Sequence, residues 1–129
     1  MSTRAPEHLQ PVIKEKGYKK LLVWQKADEL AFNIYRITHS FPKEELYGIT
    51  SQLRRASLSV PLNIVEGYSR QSRKELKQFL NIALGSLAEA EYLLDFVFKL
   101  QYLNKDDYSK LTDLRQYVGN LLWKFYKSL

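Results

Sequence analysis

Few residues in this 129-residue chain could do chemistry, and their types and spacing restrict what that chemistry is. Glu66 and Glu91 could form a carboxylate pair for acid–base work, but no histidine, metal-ligand pair or phosphate-loop glycine pattern accompanies them. Paired carboxylates without such company are structural more often than catalytic. Ser57 and Ser59 precede Pro61 in a helical pattern, where the proline removes a backbone hydrogen bond and frees the carbonyl of Ser57. Their hydroxyls suit the freed backbone groups better than they suit nucleophilic attack, since no histidine stands beside them. The chain has no cysteine, and His8 and His39 are its only histidines. Thiolate chemistry, disulfides and Cys- or His-based metal centres are therefore excluded, and neither an enzyme nor a cofactor is expected.

Basic residues are the remaining chemical resource. Residues 1–80 hold 14 of the 20 Lys and Arg but 8 of the 14 Asp and Glu, so they carry the whole net charge of +6, and residues 81–129 are balanced. Lys19, Lys20 and Lys26 open the first helix, Arg54 and Arg55 lie on the second, and Arg70, Arg73, Lys74 and Lys77 surround the following turn. Such clusters attract phosphates by charge alone and give little sequence discrimination. The plain alternative is a solvated face that serves solubility.

These residues need elements to hold them. With 45% hydrophobic and 26% charged residues the composition is that of one folded domain. Residues 1–18 contain two prolines, a glycine and no periodicity, and read as an N-terminal arm before a domain spanning 19–129. From Lys20 to Ser40, Val23, Ala27, Leu30, Ile34 and Ile37 recur at helical steps. A second helix follows Pro42 and runs to Gly67, a candidate C-terminal cap, with Leu46, Ile49, Leu53, Ala56, Val60 and Ile64 as its core stripe. Ser72 and Glu75 match a capping box that starts a third helix, predicted to reach about Leu103, and Asn104 caps a fourth. Four helices with short connections predict an all-α, up-down-up-down four-helix bundle. No apolar run is long enough for a bilayer and residues 1–20 lack a signal-peptide core, so the expected location is cytoplasmic, without a membrane role.

Two helices carry more apolar surface than one bundle core needs. Tyr47, Leu58, Leu62 and Val65 form a second sector beside helix 2, and Ile82, Leu93, Phe96, Leu100 and Leu103 lie opposite the core stripe of helix 3. Contiguous apolar patches of this kind mark association surfaces, which predicts a homo-oligomer with helices 2 and 3 at the subunit boundary. Glu91 falls inside the core stripe of helix 3 and requires either a partner, such as Gln52, Arg54, Arg55 or Asn63 of helix 2, or an escape to the edge of the stripe.

The segments Leu22–Ala27 (LVWQKA), Phe41–Gly48 (FPKEELYG), Gln52–Gly67 (QLRRASLSVPLNIVEG) and Gly85–Glu89 (GSLAE) resemble a bacterial family of four-helix proteins first noticed as products of intervening sequences in large-subunit ribosomal RNA genes. The resemblance covers residues 20–129. It implies a ring-shaped assembly, typically a homopentamer, and a distant relation to accessory variability-determinant proteins of diversity-generating retroelements. Those proteins act with a reverse transcriptase and bind nucleic acid. The expected function is a non-enzymatic, oligomeric bundle that binds RNA or DNA with low specificity; the competing one is an adaptor for a reverse transcriptase or another protein.

Overall fold

The computed structural model describes residues 17–129. The expected arm over 1–18 lies outside the described residues except for Gly17 and Tyr18, which begin a 3₁₀ turn at Gly17–Lys20. Four helices follow: α1 (Leu22–Ile37), α2 (Ile49–Tyr68), α3 (Arg73–Lys99) and α4 (Lys105–Lys127). Each packs on its neighbours in the chain and α4 closes back on α1, the all-α up-down-up-down arrangement that the periodicity predicts. Helix α1 is shorter than expected at both ends. Leu21 is its extended N-terminal cap, and a 3₁₀ turn at Thr38–Ser40 takes over where Thr38 Oγ1 donates to the Ile34 carbonyl at 2.8 Å.

Caps set the other boundaries. Ser72 Oγ accepts from the Glu75 backbone N–H at 3.1 Å, and its own hydroxyl donates to the Glu75 carboxylate, so the α3 cap is built on the Ser side chain. Asn104 Oδ1 accepts from the Asp107 N–H at 2.7 Å and starts α4. Helix α3 stops at Lys99, short of Leu103. The Gln101 N–H donates to Phe98 and the Tyr102 N–H to Val97, with Gln101 in the left-handed region at φ 66°. This is a Schellman ending, and its left-handed position, just past the Leu100 C-cap, usually belongs to glycine.

The core runs the length of the bundle. Leu30, Ile34, Leu53, Val60, Ile64, Leu80, Leu94, Val118 and Leu122 are fully buried, and each large aliphatic side chain contributes roughly 1.5–3 kcal/mol. Helices α2 and α3 form the most extensive pair because small residues line their seam: Ala56, Ser59, Ala83, Ser86 and Ala90 let the backbones approach. Gly67 belongs to that seam and is not the cap the sequence suggests. It is buried inside α2, where a Cβ would fall 2.8 Å from Phe79 Cβ, and the helix ends beyond it with Ser69 as C-cap. Pro61 is buried within α2, and Ser57 Oγ donates to the Arg54 carbonyl at 3.1 Å. Asn63 Nδ2 donates to both the carbonyl and the hydroxyl of Ser59, whose Oγ sits 2.8 Å from Ser86 Oγ across the seam. The Ser/Pro segment is therefore occupied with packing.

Several expectations for individual side chains are corrected. Leu93 and Leu103, expected on the outward face of helix 3, are core residues at 6% and 5% exposure. Leu46, expected in the core, is exposed in the turn before α2. Glu91 pairs with Arg115 of α4 and with none of the helix 2 candidates. At the end where α3 meets α4, the Phe98 and Tyr108 rings stack at 4.0 Å, and Tyr108 donates to Asp95 at 2.6 Å. Tyr102 donates to Glu45 at 2.7 Å and ties the α3–α4 connection to the Lys43–Glu45 turn. Both phenols are raised above their usual range, first because ionisation would forfeit the hydrogen bond to the carboxylate.

Candidate nucleic-acid interface

Up-down-up-down topology sends the start of α1, the end of α2, the start of α3 and the end of α4 to the same end of the bundle. That end gathers Lys19, Lys20 and Lys26 from the first segment and Arg70, Arg73, Lys74 and Lys77 from the α2–α3 turn. Helix α4 adds Lys124 and Lys127 in its last turn, where they also complement the negative end of the helix dipole. Asp28, Glu29, Glu66 and Glu75 are the acidic residues beside these nine cations. At the opposite end Arg36, Lys43, Lys99, Lys105 and Lys110 are interspersed with Glu44, Glu45, Asp95, Asp106 and Asp107. Seven of the basic residues of the first 80 thus gather, in three dimensions, at one end, where Lys124 and Lys127 join them.

The cations differ in how much of their charge is committed. Arg73 and Lys74 are exposed and make no side-chain hydrogen bond or ion pair among the described residues. Arg70 pairs with Glu66 at 3.2 Å and lies over the Phe79 ring, 4.9 Å from its centroid. Lys26 pairs with Glu29 at 3.2 Å. Both are exposed pairs of small net worth, so an arriving phosphate competes with them easily. Lys77 lies 4.9 Å from the centroid of Tyr126 and, with Lys74, Gln78, Asn81 and Tyr126, lines a shallow cleft between α3 and α4.

Arg54 and Arg55 are not brought to this end. They sit 15 positions or more before Arg70, about 22 Å along the chain at 1.5 Å per residue. Arg54 is engaged in packing: its Nε donates to Thr38 Oγ1 at 2.8 Å and its guanidinium lies 5.0 Å from the Tyr35 centroid, fastening α2 to the end of α1. Arg55 faces the polar α2–α3 groove with Gln52, Ser59, Ser86 and Glu89.

The expected association residues also divide. Leu58, Leu62, Ile82, Phe96 and Leu100 remain exposed on the outer surfaces of α2 and α3, whereas Leu93 is withdrawn into the core. Tyr47 is 94% exposed but stands in the turn preceding α2. Val65 is half-buried beside Gly17, Tyr18, Tyr68 and Ser69.

Sequence reasoning missed Lys124 and Lys127, which the balanced charge of residues 81–129 conceals, and it missed Trp123. Trp123 is 51% exposed and stacks on Tyr126 with centroids 5.6 Å apart and planes 14° from parallel. Among the described residues no group of three His, Asp or Glu converges as a metal site, and no helix is long and apolar enough to cross a membrane.

Helix order, core and helix lengths define a four-helix, all-α protein. The chain belongs to the 23S rRNA-intervening sequence protein family, whose model matches residues 19–124. A crystal structure from Bacteroides thetaiotaomicron, of a protein with unknown function from the S23 ribosomal protein family, is similar with a TM-score of 0.76 and 26% identity. The match covers 82% of this chain and 96% of that one. No curated protein matches the chain.

Proposed function

We propose that this protein is a non-enzymatic, self-associating bundle that binds RNA or DNA through its cationic end, with low sequence specificity. The convergence of nine Lys and Arg from the first segment, the α2–α3 turn, α3 and α4 on one end carries the reading. A field of that sign and density concentrates phosphates, and the absence of a recognition-helix pattern argues against base readout. The exposed Leu58, Leu62, Ile82, Phe96 and Leu100 support self-association through α2 and α3. Assembly into a ring would repeat the cationic end once per subunit and turn a weak contact into avidity.

The test is anisotropy of a labelled structured RNA and a labelled single-stranded DNA at low and near-physiological salt, with mass measured by light scattering. Saturable binding that weakens steeply with salt, and that Arg73→Glu with Lys74→Glu abolishes at unchanged mass, is the expected result. Absence of binding at low salt removes the nucleic-acid reading. A protein partner retained after nuclease treatment would then favour the adaptor role, with the exposed α2–α3 face as its seat. A monomer at tens of micromolar (on the order of 10⁻⁵ M) would remove the self-association reading.

A further inference from the structure

We infer that Trp123 and Tyr126 form a stacking platform for an unpaired nucleobase, so that the ligand of the cationic end is single-stranded nucleic acid. This rests on the nucleic-acid reading above and specifies its substrate class.

The two rings are nearly parallel, and more than half of Trp123 is open to solvent. Cations accompany both: Lys127 Nζ lies 5.6 Å from the Trp123 centroid and Lys77 Nζ lies 4.9 Å from that of Tyr126. Tyr126 also forms one wall of the cleft that Lys74 and Lys77 line on α3, so the rings and the cations form one continuous surface. From Leu114 to Leu129 there is no acidic residue. Aromatic faces set in a basic groove bind single strands, because every base has a π-face while the flanking phosphates meet the lysines. Lys127 makes no hydrogen bond or ion pair among the described residues and is free to leave the ring for a phosphate as a base takes its place. A duplex keeps its bases stacked on one another and offers these rings nothing but backbone. A protein ligand is disfavoured, since an aromatic anchor beside Lys74, Lys77 and Lys127, none of them paired with a carboxylate among the described residues, is complementary to polyanion and not to an ordinary mixed-charge surface.

The experiment uses the full chain with two probes, an oligouridine of about ten nucleotides and a blunt-ended RNA duplex. Trp123→Ala should weaken oligouridine binding about tenfold or more and leave duplex affinity within about twofold. Trp123→Phe should retain most of the oligouridine affinity, and wild-type tryptophan fluorescence should quench on oligouridine binding where that of Trp123→Phe does not. Light-scattering mass and thermal midpoint equal to wild type show that the variants are intact. Oligouridine affinity unchanged in Trp123→Ala, or an equal loss for both probes, overturns the platform while the broader reading survives. A wild-type protein that binds neither probe overturns both.

Discussion

Arg115 Nη2 lies 2.9 Å from Glu91 Oε2 across the α3–α4 contact, and the two side chains are unequally wet: 15% of Arg115 is exposed against 44% of Glu91. The Nε of Arg115 is buried without a partner. The pair therefore anchors an arginine that has lost most of its water, while the carboxylate retains much of its hydration and is partly screened. Replacing Glu91 by Ala leaves the arginine without a counter-charge, its Nη2 donating only to Gln116 Oε1 at 2.9 Å, and should cost about 1–2 kcal/mol. Arg115→Met removes the desolvated charge, keeps much of the volume and should stay within about 1 kcal/mol of wild type. Urea midpoints decide it; Arg115→Met as the more damaging change would show that the guanidinium contributes more than its desolvation costs.

Gly67 and Gly85 should respond to alanine with opposite signs. A Cβ at Gly67 would fall 2.8 Å from Phe79 Cβ and 3.0 Å from Leu76 Cδ1, so Gly67→Ala forces α2 and α3 apart and should cost about 1–3 kcal/mol despite the gain in helix propensity. At Gly85, on α3, nothing lies within 4 Å of the added methyl. Gly85→Ala should stabilise by up to about 1 kcal/mol. Thermal midpoints moving in the same direction for both would contradict the close approach at Gly67.

Gln101 holds its left-handed backbone to close the α3 ending. A side chain there costs on the order of 1 kcal/mol relative to glycine. Gln101→Gly should raise stability by about 0.5–1 kcal/mol, visible as a higher urea midpoint at unchanged slope. A lower midpoint would mean that the Gln101 side chain contributes more than its backbone strain costs.

The helices, their order and most of the core were legible because their periodicity survives in the sequence. What failed did so for identifiable reasons. Leu93, placed opposite the α3 core stripe by the pattern, is nonetheless part of the buried core, because α3 packs against both α2 and α4 and so buries more than one stripe. Gly67 is ambiguous because a helix ending and a close helix approach both favour glycine, and only Phe79 and Leu76 distinguish them. Glu91 has both a partner, Arg115, and an edge position that leaves 44% of it exposed; a wheel gives an angle and no depth, so it does not prefer Arg115 on α4 to the polar residues of α2. Of the candidate site, the lysines and arginines around the α2–α3 turn were visible as a local cluster; the contribution of α4 was not, since charge summed along the chain ignores which ends the fold brings together.

Tyr102 and Tyr108 give the bundle an alkaline dependence. Each neutral phenol donates to a carboxylate, Glu45 or Asp95, and ionisation would set anion against anion, so the folded protein holds its proton more tightly than the unfolded chain does. Their contribution is complete below the unfolded phenol pKa of about 10 and is lost as the pH rises from there through the folded values. Tyr102→Phe with Tyr108→Phe should lower stability at neutral pH and flatten its decline above about pH 10. Unfolding free energies in parallel with wild type over the alkaline range would show that these hydrogen bonds do not survive in solution.

Lys124 and Lys127 test whether the end of the bundle acts as a unit, because they join the site through topology and lie more than 40 positions from the α2–α3 turn in sequence. If phosphates bind the end as a whole, Lys124→Glu with Lys127→Glu should weaken binding and reduce the slope of log affinity against log salt by about 1–2, roughly one per phosphate contact removed. Lys105→Glu with Lys110→Glu carries the same change in net charge at the opposite end, where Asp106 and Asp107 already neutralise the surface. That variant should leave the slope unchanged and lower affinity only slightly through the long-range field, which salt screens over about 8–10 Å. Equal effects from the two ends would mean that binding follows net charge and that the clustering created by the fold is incidental.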